Sequence, residues 1–351
     1  MRKIIFTILV AFALTSCSSV LVYHMDVLHP ANFNTTSDKS AILLLDNSGI
    51  QPSTVGHTLY DNGVYKQDTT FKTDSISDFL LATVAGNLSN EGYFDKIEVC
   101  KRNENQFRKE VDFLIPSKLS SEQVKVLGDS LNVDLLVSLD RIVIQSRTNV
   151  EPFDFFYRST RDVSVNTVWR VFDVKADSLL AEFQYNDSLY WEKGAENPLW
   201  ALAALPNLQD VQPEIGEVVG EHVYRLFSPW WESINRYYYT SGGFRMKYAV
   251  DCIRQKDWEG AATLWREEFE KGFGKSVYRS AMNMMLYCEL SGNPKEALVW
   301  ANKAVQKMNT FQFGVPSTDQ YIWAYWVASL KQRVVDVEKL EKYFNSTDVI
   351  P

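Results

Sequence analysis

The side chains able to do chemistry are few and scattered. Histidines stand at positions 24, 29, 57 and 222, and no two share the i, i+4 spacing of a helical metal site. None has a glutamate at i, i+4 either, so a zinc centre is not expected. A serine nucleophile needs a base and an orienting group nearby, and the chain has no Gly-x-Ser-x-Gly turn. Asp134, Asp140 and Asp173 flank apolar runs. Paired carboxylates there could exchange protons, and solvated strand ends are the alternative. Neither Gly-x-Gly-x-x-Gly nor a Walker loop occurs, so no nucleotide cofactor is expected. Together these readings predict a protein that is not an enzyme and carries no cofactor or metal.

Cys17 is a different case. Arg2 and Lys3 precede an almost unbroken apolar run from Ile4 to Leu14, followed by Thr15, Ser16 and Cys17. That run is about half the roughly twenty residues a membrane-crossing helix needs, and it has the form of a cleaved export signal. Leu14-Thr15-Ser16-Cys17 resembles the bacterial lipobox. The resemblance implies cleavage after residue 16, diacylglycerol on Cys17, and a membrane partner reached through lipid. Ser18 rather than aspartate follows the cysteine, which favours the outer membrane of a Gram-negative envelope. No acidic cluster follows to suggest surface export, which favours its periplasmic face over the cell surface. The other cysteines, Cys100, Cys252 and Cys288, form no framework. They read as small hydrophobes, with a single Cys252–Cys288 bridge as the alternative.

The chain has 351 residues, 46% of them hydrophobic, and a formal charge of −8. This suits two folded domains, and the acidic balance argues against nucleic acid, whose phosphates need clustered lysine and arginine. No later segment is long and apolar enough to span a membrane. Residues 17–37 read as a tether or a leading strand. Ala41–Asp46 is a continuous apolar run, the mark of a strand buried on both faces. Residues 49–72 are polar and read as a loop. Ile76, Phe79, Leu80, Val84 and Leu88 fall at helical spacing, with Gly92 as the stop. Ile97–Cys100 reads as a strand, and Ser120 with Gln123 forms a capping box. Strands follow at 133–144, 161–173 and 179–185, then a helix at 218–227 ended by Pro229. This order predicts an α/β domain over 38–230, a mixed sheet packed by helices.

From 231 to 351 the pattern turns helical. Trp258 with Ala261, and Gly292 with Ala297, mark equivalent points of two helix–turn–helix units; Trp265 and Ala301 share a packing position. The 36-residue offset of Ala261 and Ala297 is close to the 34 of tetratricopeptide repeats. A third pair is expected near 321–330 and 335–344. Such arrays expose a groove that takes protein partners.

The arrangement is similar to an uncharacterised family of bacterial lipoproteins with an α/β domain ahead of tetratricopeptide-like repeats. The likeness rests on Leu14–Cys17, His29-Pro30-Ala31, Ala41–Asp46, Leu80–Phe94, Asn132–Leu139 and the repeats over 248–304. More distantly, Gly92-Tyr93-Phe94 leading into Ile97–Cys100, with Val133–Val137, resembles the small domain of curli-secretion lipoproteins, of the Tol-Pal translocation protein's N-terminal part and of penicillin-binding-protein activators. That likeness implies a scaffold or adaptor. The chain departs from the translocation protein in having helical repeats where that one has a β-propeller.

Aromatic residues make up 13% of the chain. Trp230, Trp231, Tyr237, Tyr238 and Tyr239 crowd the point where the two predicted domains meet, as core or as a stacking platform for a sugar or partner. Phe153, Phe155, Phe156 and Tyr157 lie in an expected hairpin loop, either exposed as an interface or folded back over the sheet. The leading expectation is a lipid-anchored adaptor that binds protein through its repeats, with a glycan-binding protein or enzyme at the aromatic junction, or a structural subunit, as the rivals. A Cys17→Ser substitution is expected to abolish the acyl mass on the N-terminal peptide and move the protein to the soluble fraction. Unchanged membrane retention in salt-washed fractions would remove the anchor from the account.

Overall fold

The computed structural model describes residues 20–32, 40–107 and 112–344. Cys17 and the signal-like segment before it lie outside the described residues. Two bodies form: Pro30–Trp230 builds one, and Val20–His29 joins Trp231–Glu341 in the other. Of the two readings of residues 17–37, the leading strand is the one that forms. Val20–His29 is a strand, β1, whose Val20, Tyr23 and Met25 pack into the core of the second body. Its hydrogen-bonding partner is more than 200 residues away, so no local pattern announces it.

In the α/β body the strands are β2 (Ala41–Asp46), β3 (His57–Asp61), β4 (Val64–Asp68), β5 (Lys96–Cys100), β6 (Leu135–Phe153), β7 (Phe156–Asp173) and β8 (Ser178–Ala195). The helices are α1 (Ile76–Glu91), α2 (Ser121–Leu131), α3 (Pro198–Ala204) and α4 (Gln212–Val223). β2 lies between β5 and β6, parallel to both. β3 pairs with β6 further along the same edge, also parallel, while β7 and β8 extend the sheet antiparallel from the other edge. The sheet is mixed, with seven strands.

The unbroken apolar run of β2 has its reason in this arrangement. Ile42 and Leu44 face α1 and α4, while Leu43 and Leu45 face Val124 and Leu127 of α2. A strand covered on both faces alternates nothing. α1 and α4 meet closely, because a Cβ at Gly216 would come within 2.5 Å of the Phe79 Cβ. The capping box forms as the sequence suggests, with the Ser120 amide donating to Gln123 at 2.8 Å and the Gln123 amide to Ser120 at 3.3 Å.

The expected loop over 49–72 is corrected too, for it contains the β3–β4 hairpin. Asn62 and Gly63 both have positive φ, 52° and 76°, the requirement of a type I′ turn. β4 is exposed along its whole length, so it shows none of the apolar alternation by which strands are recognised. The short helix α3 also escaped the sequence reading.

In the second body β1 pairs with β9 (Trp230–Tyr239) in a two-stranded sheet. Five helices accompany it: α5 (Phe244–Arg254), α6 (Trp258–Lys271), α7 (Lys275–Leu290), α8 (Pro294–Asn309) and α9 (Ser317–Tyr343). Asp257 caps α6 through the Gly260 amide at 2.8 Å, and Asn293 caps α8 through the Glu296 amide at 3.0 Å. The expected third helical pair is instead α9, one helix of 27 residues. Leu330-Lys-Gln-Arg-Val-Val335 contains no glycine or proline to interrupt it. The C-terminal region is thus helical, with two helical hairpins, a long helix and a β-ribbon. That architecture does not establish tetratricopeptide repeats. Among the described residues no helix is long and apolar enough to cross a membrane.

Candidate functional site

The carboxylates weighed as an acid–base set are not one cluster, because Asp134 and Asp173 stand beside each other where β6 begins and β7 ends while Asp140 lies further along β6. Asp134 accepts the amides of Ser40 and Ala41 at 3.0 and 3.1 Å and pairs with Lys175 at 2.6 Å. Burial pushes its carboxyl upward, but Lys175 and the two amides hold it below the ordinary range. Asp173 accepts the Ala176 amide at 2.9 Å in the β7–β8 turn. These are latches on strand ends.

Asp140 sits inside a polar network at the carboxyl ends of β2 and β5. It accepts from Ser138 at 2.5 Å, from Asn47 at 3.3 Å, and from Arg170, which also reaches Glu182 at 2.8 Å. Asn105 joins Asn47 at 3.1 Å and the Asp46 carbonyl at 3.2 Å. Arg102 donates to Ser48 at 2.9 Å and Ser77 at 3.1 Å, and its Nε lies 3.3 Å from Asp46. The end of a parallel sheet is where ligands bind in open α/β folds. Here the polar groups largely satisfy one another, so the network reads as internal structure. Burial pushes the Asp140 carboxyl up to about 6, against the pull of Ser138, Arg170 and Asn47.

The histidines stay apart. His29 lies 3.0 Å from Glu232 and 2.9 Å from Asp336, and buried His57 is 3.0 Å from Ser146. His222 meets the Val218 carbonyl at 2.9 Å. Cys100, Cys252 and Cys288 are free thiols, so the bridge considered for the last two is not formed.

The aromatic candidates separate into two groups. β6 and β7 pair continuously to Phe153 opposite Phe156, and Asp154 and Phe155 make the turn between them. Phe155 is fully exposed; Phe153 and Phe156 are exposed beside it with ring centroids 5.4 Å apart, and Tyr157 is half-buried. Exposed Leu199 and Trp200 of α3 stand at the same end of the sheet, tied there by Ser159, which donates to the Ala201 carbonyl at 2.6 Å. So the loop aromatics are presented to solvent. The junction aromatics are mostly packed. Trp230 is half-buried against the α/β core with the Arg225 guanidinium 4.2 Å over its ring. Tyr238 and Tyr239 are buried in the helical core, which corrects Tyr238 as a contact for partners, and Trp231 alone of the two tryptophans is exposed. Ala261, Trp265, Ala297 and Ala301 are buried in that same core, Trp258 packs edge-on to Tyr23 at 4.9 Å, and Gly292 takes φ 71° before Asn293.

One cleft lies wholly within the helical body. Glu232, Ser233, Ile234, Asn235 and Tyr237 of β9 face Ser317, Thr318, Tyr321, Ile322 and Tyr325 of α9 across about 780 Å³. Tyr321 and Tyr325 are exposed, with nearly parallel rings 6.4 Å apart and 13° between planes. The lining is hydroxyl, amide, aromatic and, at Ile234 and Ile322, aliphatic; its single carboxylate, Glu232, is engaged by His29. The sequence reading found Tyr237 but missed Tyr321 and Tyr325. Their i, i+4 spacing was visible, yet only the fold brings that face of α9 to β9.

Comparison with known proteins gives families rather than activities. The family described as domain of unknown function DUF8603 matches residues 40–239, more than half the chain, and domain of unknown function DUF6340 matches 247–332. No curated protein matches the chain. Among solved structures, the PelC dodecamer from Paraburkholderia phytofirmans is similar over 59% of this chain and 99% of its own, at 9% identity and TM-score 0.24. Lipoprotein GNA1162 from Neisseria meningitidis is similar over 52% and 98%, at 13% identity and TM-score 0.19. The LpoB C-terminal domain from Salmonella enterica covers 44% and 85%, at 9% and 0.19. Likenesses this distant carry no argument about what the chain does.

The Asp140 network has a pH signature. Its carboxyl holds a proton in the native state up to about pH 6, whereas the unfolded chain releases it near the ordinary value of 3.8. Stability from this group is therefore complete below the unfolded value and is lost as pH rises through the native one. Relative to Asp140→Asn, wild type is expected to lose on the order of 3 kcal/mol between about pH 4 and 7. Urea denaturation of both proteins across that range measures it, and a constant gap between them contradicts it.

Proposed function

The chain belongs to the family of the domain of unknown function DUF8603, and from that footing we propose that it is a lipid-anchored adaptor of the cell envelope. Acyl chains on Cys17 moor it, at about 0.8 kcal/mol for each buried CH₂, and its surfaces hold other molecules without transforming them. The outer membrane is the proposed address, because Ser18 follows the cysteine, and its periplasmic side, because no acidic cluster comes after it.

The observation that carries the adaptor reading is the end of the β6–β7 ribbon. Phe155 stands at its tip with Phe153 and Phe156 beside it and Leu199 and Trp200 at the same end. Soluble proteins rarely leave large apolar groups gathered this way unless something covers them. Aromatics held on a paired ribbon lose little conformational freedom on contact, which suits them to anchor a protein interface. The helical body offers a second protein-binding surface in this reading, as its two helical hairpins suggest.

A second reading is favoured by the β9–α9 cleft. Stacked tyrosines bordered by alcohols and an amide suit the apolar face and hydroxyl rim of a neutral saccharide. Hydrolysis of such a ligand would call on two carboxylates, and this lining has one, so binding is the supported activity.

The two readings have separate tests. Phe155→Ser combined with Trp200→Ser is expected to remove the partners that co-purify with wild type from gently solubilised membranes, with thermal melting unchanged. An identical set of partners would refute the tip as the interface. For the cleft, calorimetric titration with tetra-N-acetylchitotetraose is expected to give saturable binding, weakened roughly ten-fold by Tyr321→Ala or Tyr325→Ala. Equal affinity in all three proteins rules the cleft out as the sugar site.

A further inference from the structure

β1 begins at Val20, three residues after Cys17. Three residues span at most roughly 10 Å, so the end at which β1 begins is the end within reach of the thiol. The contacts of β1 and β9 show which end. His29 meets Glu232 and Asp26 meets Ser233, so residue numbers fall along β9 as they rise along β1, and Val20 lies toward the Tyr239 end. At the far end of β1, His29 reaches Asp336 and the Leu28 carbonyl accepts from Arg333, both late in α9. Nearer its start, Tyr23 packs on Trp258. Tyr239 is held at the middle of α7, where the Asn283 side chain accepts its amide at 2.7 Å and donates to its carbonyl at 2.8 Å. The chain then climbs to the α7 N-terminus, since a Cβ at Gly242 would lie 2.5 Å from the Ser276 Cβ. The start of β1 therefore lies on the side of that terminus, which is about 12 Å beyond Asn283 at 1.5 Å per helical residue.

The same end carries exposed aromatic side chains. Phe273, 87% exposed, immediately precedes α7; Phe244, 62% exposed, opens α5 just after the glycine turn. Phe313, 87% exposed, follows α8 and is joined to the first turn of α7 by Phe311, whose ring lies 5.8 Å from Phe313 and 5.9 Å from Tyr278. Exposed Lys247, Lys271, Lys275 and Lys307 stand among them, with Glu267 and Glu270 as the opposing charges. Phenylalanine rings with neighbouring lysines are the composition of surfaces that lie in the membrane interface, and anionic headgroups attract such lysines.

We propose that this end of the helical body rests on the lipid surface, with Phe244, Phe273 and Phe313 at headgroup level beside the acylated Cys17. The proposal depends on the lipid anchor and goes beyond it, because an acyl chain alone leaves the protein free to turn above the membrane. With the aromatic end seated, rotation is confined and one face of the body is presented permanently to lipid.

The test uses the full chain in its native envelope. p-Benzoylphenylalanine replaces Phe273, Phe313 or, at the opposite end, Gln255, which is exposed at the end of α5. After irradiation, mass spectrometry is expected to find phospholipid adducts at 273 and 313 and none at 255. Absence of lipid adducts at both aromatic positions, adducts to protein in their place, or equal yield at 255 overturns the proposal. The mass of the N-terminal peptide, read from the same samples, separates the two claims. A bare Cys17 removes the anchor and this inference together, whereas an acylated Cys17 without lipid adducts removes this inference alone.

Discussion

A strand of nineteen residues presents hydrogen-bonding groups along two edges, and leaving them unmet in a folded interior is costly. β6 meets this demand with three neighbours. β7 runs beside it from Leu135 to Phe153, while the other edge is divided between β2 at 135–139 and β3 at 146–150. The rest of the α/β body follows from that division. The half that pairs with β2 is sandwiched between α1 and α4 on one face and α2 on the other, and becomes core. The half that pairs with β3 runs past those helices and carries the β6–β7 turn outward. A stiff ribbon ending in Phe155 is the consequence of giving one strand two jobs.

The helical body depends on a different device. Arg236 of β9 makes two hydrogen bonds of 2.7 Å with Glu289 of α7, and Trp326 of α9 donates to the same carboxylate at 2.8 Å. A buried charge is tolerable only when its partners are in place, so this cluster sets β9, α7 and α9 in one relation. Asn283 does the same for the end of β9 by satisfying the Tyr239 main chain as a neighbouring strand would. The cleft between β9 and α9 and the position of β1 are both results of that setting. So is the separation of the two surfaces, stacked tyrosines in one place and exposed phenylalanines at the helix ends in another.

Much of this was legible because it is local. The capping box at Ser120, the glycine stop at Gly92, the double-faced strand at Ala41–Asp46 and the helical hairpins around Ala261 and Ala297 each depend on residues within one turn or one strand. The aromatics of the 153–157 turn were visible, and so was the question of whether they face solvent, which burial answered. The errors share a cause. β1 and β4 are strands only because of what lies beside them, β9 for the first and β3 for the second. The β3–β4 turn did have a local signal in Asn62-Gly63, but the exposed strand after it carried no apolar rhythm to support the reading. α9 went wrong in the opposite direction, where an expected repeat suggested a break that no residue supplies.

The sequence by itself determined the export-like start and the lipobox-like Leu14–Cys17, the succession of strands and helices that makes a mixed sheet, and the helical character of the last third. These depend on residue type and short spacing, and such patterns persist whatever the chain later does. Tertiary structure alone decided that the supposed tether is a strand of the helical body, that Tyr238 is buried, and that Tyr321 and Tyr325 face β9. It also decided that Asp134 and Asp173 secure neighbouring strand ends while Asp140 is held in a network of its own. Each of these is a relation between segments distant in the chain, and pairing across such distances is chosen by which surfaces can be buried together.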